Sequence, residues 1–469
     1  MTAAERWDLW KRCIAHVPSV EGFSRGWFRY LEDDLRDSRL PEGGGRQMVA
    51  FADLRRSNVK HWIAWGLWGR KLQPGKHDDD AAGGGVDADE LERYVQHLEK
   101  NLGSSLPSGR FPEGMNRDIE VLQFSLEPVR CHWKPFCVFA ILELAWFGFA
   151  LVLFAMGFSY RRKDDVAYWI REGRAAGQPK PPVVLLHGVG LGVLPYISML
   201  GWIGKQEGWG RTWIAVESPE YPRYHATSLM SVPMDYARTL KNVLMAHGSA
   251  EAIFLGHSIG TVYLTWIVRN APEIVRDVIL VDPVCLLLHH SKVLWNFLYA
   301  RPPALSMPEV VQRWVVLMDP NISYRLRRNF TWYQVGSSIT INSIPPKQTD
   351  SPTVNLKLMP LTRGKKNNNT KNILWMDEIP SRASVLVLLA EKDEYVPTSE
   401  VADYVSRYAA HRHNRTPEES KPSLHEVQRK DHSKVQIQWL QAGARHGDCV
   451  LNEDGIKIFK KAILEFLQR

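Results

Sequence analysis

The stretch AIFLGHSIG, residues 252–260, decides how the rest of the chain is read. Four residues with no charge end at Leu255, glycines at 256 and 260 bracket Ser258, and a helical pattern begins at Ile259. A short apolar run that passes through glycine straight into a helix is a strand-to-helix turn. A turn this tight strains the backbone of the central residue and leaves no room for side chains at Gly256 and Gly260. Ser258, with His257 before it, then stands above a sheet at a helix N-terminus, where the dipole and free N–H groups favour negative charge. G-x-S-x-G alone is common by chance; the strand before it and the helix after it make it specific.

A second glycine-rich turn, HGVGLG (187–192), follows the apolar run Val183–Leu186 and again precedes a helical pattern. Small residues at Gly188 and Gly190, next to His187, let a backbone approach a ligand closely, as an oxyanion hole requires. The expected donors are the N–H groups of Ile259 and Val189. The spacing is neither the dinucleotide fingerprint nor a P-loop with its lysine. A serine nucleophile also needs a base, and the base an orienting carboxylate. Asp393 lies just past the apolar run SVLVLLA (384–390), and His446 just past a last strand candidate at 436–440. Asp282, ending the run VILV (278–281), is an alternative acid; Asp448 is too near His446 in sequence to orient its ring. His425 and His432 lie in a polar insertion and read as exposed.

Strand candidates at 183–186, 213–216, 252–255, 278–281, 385–389 and 436–440 alternate with helical patterns at 191–205, 234–247 and 259–269. Buried strands alternating with helices mean an α/β fold, a mostly parallel sheet covered on both faces. Polar stretches at 345–372 and 411–434 read as surface insertions.

On the turn HGVGLG, the elbow GHSIG, the acid in AEKDEYVP (390–397) and the histidine in ARHGD (444–448), the chain resembles the α/β-hydrolase superfamily over about residues 180–469. The resemblance implies a Ser258–His446–Asp393 triad with an oxyanion hole at Val189 and Ile259, and no cofactor or metal. It also implies that the insertion at about 286–378, with HHSKVLWNFLYARPP (289–303) and ISYRLRRNFTWYQ (322–334), is a helical cap over the site, the alternative being helices that only cover the sheet. More narrowly the chain is similar to fungal membrane-associated α/β-hydrolases, on RRSNVKHWIAWGLW (55–68), the apolar run before the catalytic domain and LVDPVCLLLHH (280–290). That likeness makes Asp282 and Cys285 parts of a recurring element.

The apolar run is FCVFAILELAWFGFALVLFAMGF (136–158), with the single charge Glu143. At 1.5 Å per residue it is long enough for about 30 Å of hydrocarbon. Trp133 and Tyr160 stand at its edges and Arg161, Arg162 and Lys163 follow, as at a membrane boundary. It reads as a transmembrane or membrane-embedded helix, single-pass or monotopic, and the excess of basic residues after it places that side in the cytosol if it crosses. Residues 1–130 read as a helical N-terminal region. Within it, 54–72 has apolar residues at helical spacing, fitting either an amphipathic membrane-surface helix or a core helix. Several of the 18 tryptophans fall in or beside these stretches.

Of the 469 residues 45% are hydrophobic and 23% charged, which excludes wholesale disorder, collagen-like and coiled-coil states. The net charge of +8 comes from 59 basic against 51 acidic residues, with no basic arm of the kind that binds nucleic acid. Five scattered cysteines form no C-x-x-C pair and read as buried or free thiols. The opening MTAAERWDLWKRC does not read as a cleavable signal peptide. The expected activity is hydrolysis of a carboxylic ester of a lipid or other small acyl substrate by a membrane-attached serine hydrolase, with membrane lipid as the other partner and no protein partner indicated. Acyl transfer on the same fold and an inactive membrane scaffold are the alternatives; no His-x4-Asp acyltransferase motif occurs.

Overall fold

The computed structural model describes residues 1–31, 48–72, 85–129, 131–164, 166–174, 180–217, 233–299, 316, 318–329, 372–412, 425–428 and 434–469. The polar insertions expected at 345–372 and 411–434 fall almost wholly outside these residues, as does His432; His425 lies in an edge strand.

The N-terminal region holds helices α1 (Ala3–Ala15), α2 (Val20–Arg25), α3 (Arg56–Trp68) and α4 (Ala88–Leu102). It also holds a two-stranded antiparallel ribbon, β1 (Phe28–Tyr30) with β2 (Ile119–Val121), absent from the sequence reading. The caps follow from sequence. Thr2 and Glu5 close a capping box on α1, Asp87 accepts the Glu90 N–H at the start of α4, and Gly69 ends α3 at φ 69°. The stretch 54–72 proves to be a core helix: Val59, Trp62, Ile63 and Trp65 of α3 are all buried. Trp10 and Trp62 meet edge to face at 5.8 Å, so these tryptophans fill an interior and do not mark a lipid surface.

Helix α5 (Phe136–Ala155) follows. It stops at Gly157, whose φ of 85° suits glycine and where a Cβ would sit 2.2 Å from the Arg171 guanidinium. That guanidinium donates to the Met156 carbonyl, capping the helix end.

Among the described residues, the remaining strands form one nine-stranded sheet in the order β10-β11-β9-β8-β7-β5-β6-β4-β3. They are β3 (Ser159–Lys163), β4 (Val166–Arg171), β5 (Val183–Leu186), β6 (Trp213–Val216), β7 (Ala252–His257), β8 (Val275–Val281), β9 (Val385–Leu389), β10 (His425–Gln428) and β11 (Lys434–Trp439). The central strands from β6 to β11 run parallel, while β4 and β10 join antiparallel. The sheet therefore begins at Ser159, upstream of the boundary expected near 180. The hairpin β3–β4 escaped because Arg161, Arg162 and Lys163 read as membrane-flanking residues alone, although they are also the exposed positions of an edge strand.

Alternate strand residues enter two cores, one on each face. Val184, Leu186, Phe254, Leu280 and Val387 join the first, with α7 (Pro233–Ala246), α8 (Gly260–Asn270) and the N-terminal helices. Val183, Leu185, Leu255, Ile279 and Leu388 join the second, with α6 (Ile197–Gln206), the end of α5 and the closing helix Glu453–Leu467. The N-terminal region is thus built into the first core. Arg12 pairs with Asp377 and lies 4.9 Å over the Trp375 ring, and His16 packs on Trp375 and Tyr404 at 5.2 and 5.0 Å. The insertion after β8 leaves and returns at one point, where the Leu374 N–H donates to the Cys285 carbonyl at 3.0 Å.

Candidate active site

Strand order reverses at β5: the chain goes from β5 to β6 on one side, then crosses back over β5 to β7 and continues to β8. In such sheets a crevice opens between the carboxyl ends of the strands where the order reverses. Here those ends carry HGVGLG after β5 and GHSIG after β7.

Ser258 has φ 53°, between the end of β7 and the start of α8, with its N–H donated to the Val281 carbonyl of β8. The flanking glycines are required by contact. A Cβ on Gly260 would lie 2.0 Å from the Leu186 carbonyl oxygen, and one on Gly256 would lie 3.1 Å from the Gly260 oxygen. Gly188 is similarly confined, a Cβ there falling 3.0 Å from His257 Nδ1 and 3.3 Å from Ser258 Cβ. Gly190, at φ 117°, lies against Val316 of the insertion. His187 is buried, its Nδ1 2.7 Å from the Gly188 carbonyl and its Nε2 3.4 Å from Glu217, which fixes the start of the turn.

Ser258, His446 and Asp393 come together. His446 Nε2 lies 2.8 Å from Ser258 Oγ, and its Nδ1 2.7 Å from Asp393 Oδ2. A carboxylate only accepts, so Nδ1 carries the proton and Nε2 is free to accept from the serine hydroxyl. The other Asp393 oxygen accepts the N–H groups of Tyr395 and Val396 at 2.7 and 2.8 Å. Burial works against a charged His446, but Asp393, Asp282 and Glu394 around it win and raise its pKa to about 9.

Asp282, the alternative acid, turns elsewhere. Its oxygens accept the N–H groups of Ala390 and Gly447 at 3.1 and 3.0 Å, with Oδ2 3.6 Å from His257 Nε2. It thus holds the backbone beside His446 and leaves the imidazole Nδ1 to Asp393. Burial pulls Asp282 towards the neutral acid, yet His257, His446 and the Gly447 N–H keep it below the ordinary carboxylate value. His257 is lowered too, chiefly by burial, which favours its neutral form.

Sequence reasoning missed the link between the two glycine turns. The Tyr196 hydroxyl accepts the Gly188 N–H at 3.0 Å and donates to His257 Nδ1, so one phenol ties the turn after β5 to the elbow after β7. Nothing in the surrounding LPY marks it. Glu394 was also missed, although it neighbours Asp393; it accepts the His446 N–H at 3.1 Å and pairs with Arg445 at 2.5 Å. Tyr395 packs its ring edge on His446 at 4.9 Å, and Phe297 of the insertion packs on Tyr395 at 5.1 Å.

Among the described residues, two sets of side chains bring potential metal-ligating atoms within 4.8 Å: His257, Asp282 and Cys449, and Asp282, Asp393 and His446. Neither donor set suits a cation. The Asp282 and Asp393 oxygens are occupied by backbone N–H groups, His446 by Ser258 and Asp393, and burial holds the Cys449 thiol protonated.

No family model and no curated protein matches the chain. Solved structures resemble it at low identity. Carboxylesterase CesB (YbfK) from Bacillus subtilis is 13% identical with a TM-score of 0.39, covering 70% of this chain and 98% of its own. The 2-hydroxy-6-oxo-6-phenylhexa-2,4-dienoate hydrolase of Rhodococcus sp. strain RHA1 is 16% identical with a TM-score of 0.37, covering 66% and 99%. Esterase RhEst1 from Rhodococcus sp. ECU1013 is 14% identical with a TM-score of 0.37, covering 66% and 98%. The assignment of the fold rests on the chain's own strand order, its elbow at Ser258 and the order in which Ser258, Asp393 and His446 follow β7, β9 and β11. By these features the chain has the α/β-hydrolase fold.

Proposed function

We propose that this protein is a membrane-attached serine hydrolase that cleaves carboxylic esters of lipid or other acyl substrates. The observation that carries the reading is the unbroken series Ser258 Oγ, His446 Nε2, His446 Nδ1, Asp393 Oδ2, with contacts of 2.8 and 2.7 Å. Ser258 attacks the ester carbon and gives its proton to His446, and Asp393 stabilises the imidazolium. The N–H groups of Val189 and Ile259 hold the tetrahedral oxyanion, a contribution of about 3 kcal/mol for each donor. His446 then returns the proton to the departing alkoxide, leaving an acyl-Ser258 ester. Water attacks this ester with His446 as base, releasing the carboxylic acid and restoring Ser258. An apolar acyl group is favoured by what lies beside the site: Val316 against the Gly190 turn, Tyr395 against His446 and Phe297 against Tyr395.

The test is labelling of full-length protein with a fluorophosphonate probe. Wild type labels, Ser258→Ala does not, and His446→Ala and Asp393→Asn label at least about a hundredfold more slowly. Hydrolysis of p-nitrophenyl acyl esters of increasing chain length then reads the acyl preference. A folded wild type that neither labels nor hydrolyses overturns the proposal.

A further inference from the structure

Helix α5 has the length of a transmembrane span, but both of its ends belong to one folded body. Leu9, Trp10, Tyr94 and Phe124, which precede it, lie in the same hydrophobic core as Leu280, Val387 and Trp375, which follow it. Polar contacts join the two sides as well. The Arg328 guanidinium donates to the carbonyls of Phe124 and Ser125 at 3.3 and 2.8 Å, and the Tyr299 hydroxyl to Glu127 at 2.8 Å. The start of the helix is tied to the insertion after β8, the His132 N–H donating to the Met318 carbonyl at 2.9 Å and Lys134 pairing with Asp319. Its end is sewn into the second core by Ala150 and Leu153.

Between these ties the helix shows apolar surface. Phe136 is 86% exposed, Leu144 72% and Phe147 60%, and Trp133 at the entrance is 84% exposed. Exposed Arg161, Arg162 and Lys163 of β3 stand just past its exit, beside Tyr160. An aromatic-rimmed apolar face with basic residues at one end fits the interface of an anionic bilayer.

We propose that α5 enters a single leaflet of an anionic membrane and does not cross it, so that residues before and after it stay on one side. Crossing would carry α1–α4 away from the core they share with the sheet. The basic excess after the helix therefore marks contact with lipid headgroups, not the cytosolic side of a span. Because Met318 and Asp319 hold the start of α5, the same attachment brings the insertion beside the Ser258 crevice to the lipid surface. This inference rests on membrane attachment as proposed above and not on the serine chemistry.

The experiment uses full-length protein with a different epitope tag at each terminus, in sealed vesicles from producing cells treated with protease. The expected result is that both tags share one fate, and that purified protein floats with phosphatidylserine-containing liposomes but less with phosphatidylcholine alone. The double variant Leu144→Asp/Phe147→Asp, changed only at exposed positions, should keep its thermal unfolding midpoint and move to the soluble fraction. One tag digested and the other protected would overturn single-leaflet insertion while leaving attachment in place. Wild type that stays in solution without binding liposomes, as a monomer or with α5 buried between two copies, would overturn both.

Discussion

His446 meets two opposed demands. The charges of Asp393, Asp282 and Glu394 that raise its pKa to about 9 would, in the mechanism proposed above, also stabilise an imidazolium formed beside the oxyanion. The cost is that the neutral base is a minor form at neutral pH. If His446 is the base, the rate of Ser258 labelling should rise about tenfold per pH unit from about pH 6 and level off near its pKa. Asp393→Asn removes the nearest charge, so the inflexion should move to lower pH while the plateau rate falls; a profile flat between about pH 6 and 9 would speak against His446 as the base. Sequence put Asp393 first as the carboxylate that orients this ring and kept Asp282 as an alternative, since each follows an apolar strand. Distance decides it: Gly447 N and Ala390 N claim Asp282, and only Asp393 reaches Nδ1. Tyr196 was invisible because one hydroxyl bridging two turns leaves no periodic or spacing signal in a sequence.

Among the elements, the parallel strands and the glycine turns that end β5 and β7 were legible, because period, burial and turn chemistry all act locally there. The hairpin β3–β4 was not, since an edge strand rich in arginine and lysine looks like a membrane flank. Nor could sequence choose between lipid and core for α3; packing does, through Trp62, Trp65 and a buried ion pair. Arg56 of α3 donates to Glu99 of α4 through Nε and Nη2 at 3.1 and 3.2 Å, with side chains only 10% and 4% exposed, and Glu99 also accepts the Phe111 N–H at 3.1 Å. Glu99→Ala leaves a buried guanidinium and a backbone N–H short of an acceptor, and should lower unfolding free energy by about 3–5 kcal/mol in denaturant titrations. Glu92→Ala, which removes a partner of Arg56 more exposed than Glu99, should cost about 1 kcal/mol or less.

At the scale of the whole molecule, the N-terminal region and the sheet cannot be treated as separable parts. The sequence suggested three consecutive units because α5 divides the chain, but chain order and packing order differ. Trp10, Trp27, Trp62, Trp65 and Tyr94 are all buried in the core that includes Trp375. Each large apolar side chain is worth about 2 kcal/mol on burial, and a typical domain's net stability is only about 5–15 kcal/mol. A fragment beginning at residue 159 should therefore be recovered insoluble or without a cooperative thermal transition. A soluble fragment with a sharp melt would mean that the sheet completes its own core.

The same shared core sets a timetable during synthesis. His16 emerges from the ribosome early, but the Trp375 and Tyr404 rings it packs against are made some 360 and 390 residues later. At about 5–20 residues per second, the apolar faces of α1 to α4 wait on the order of tens of seconds for their partners. Throughout that interval the nascent chain carries a tryptophan-rich surface and, once α5 is out, a second sticky one. Its yield in a cell should depend on chaperones that hold early segments as much as on the stability of the finished protein.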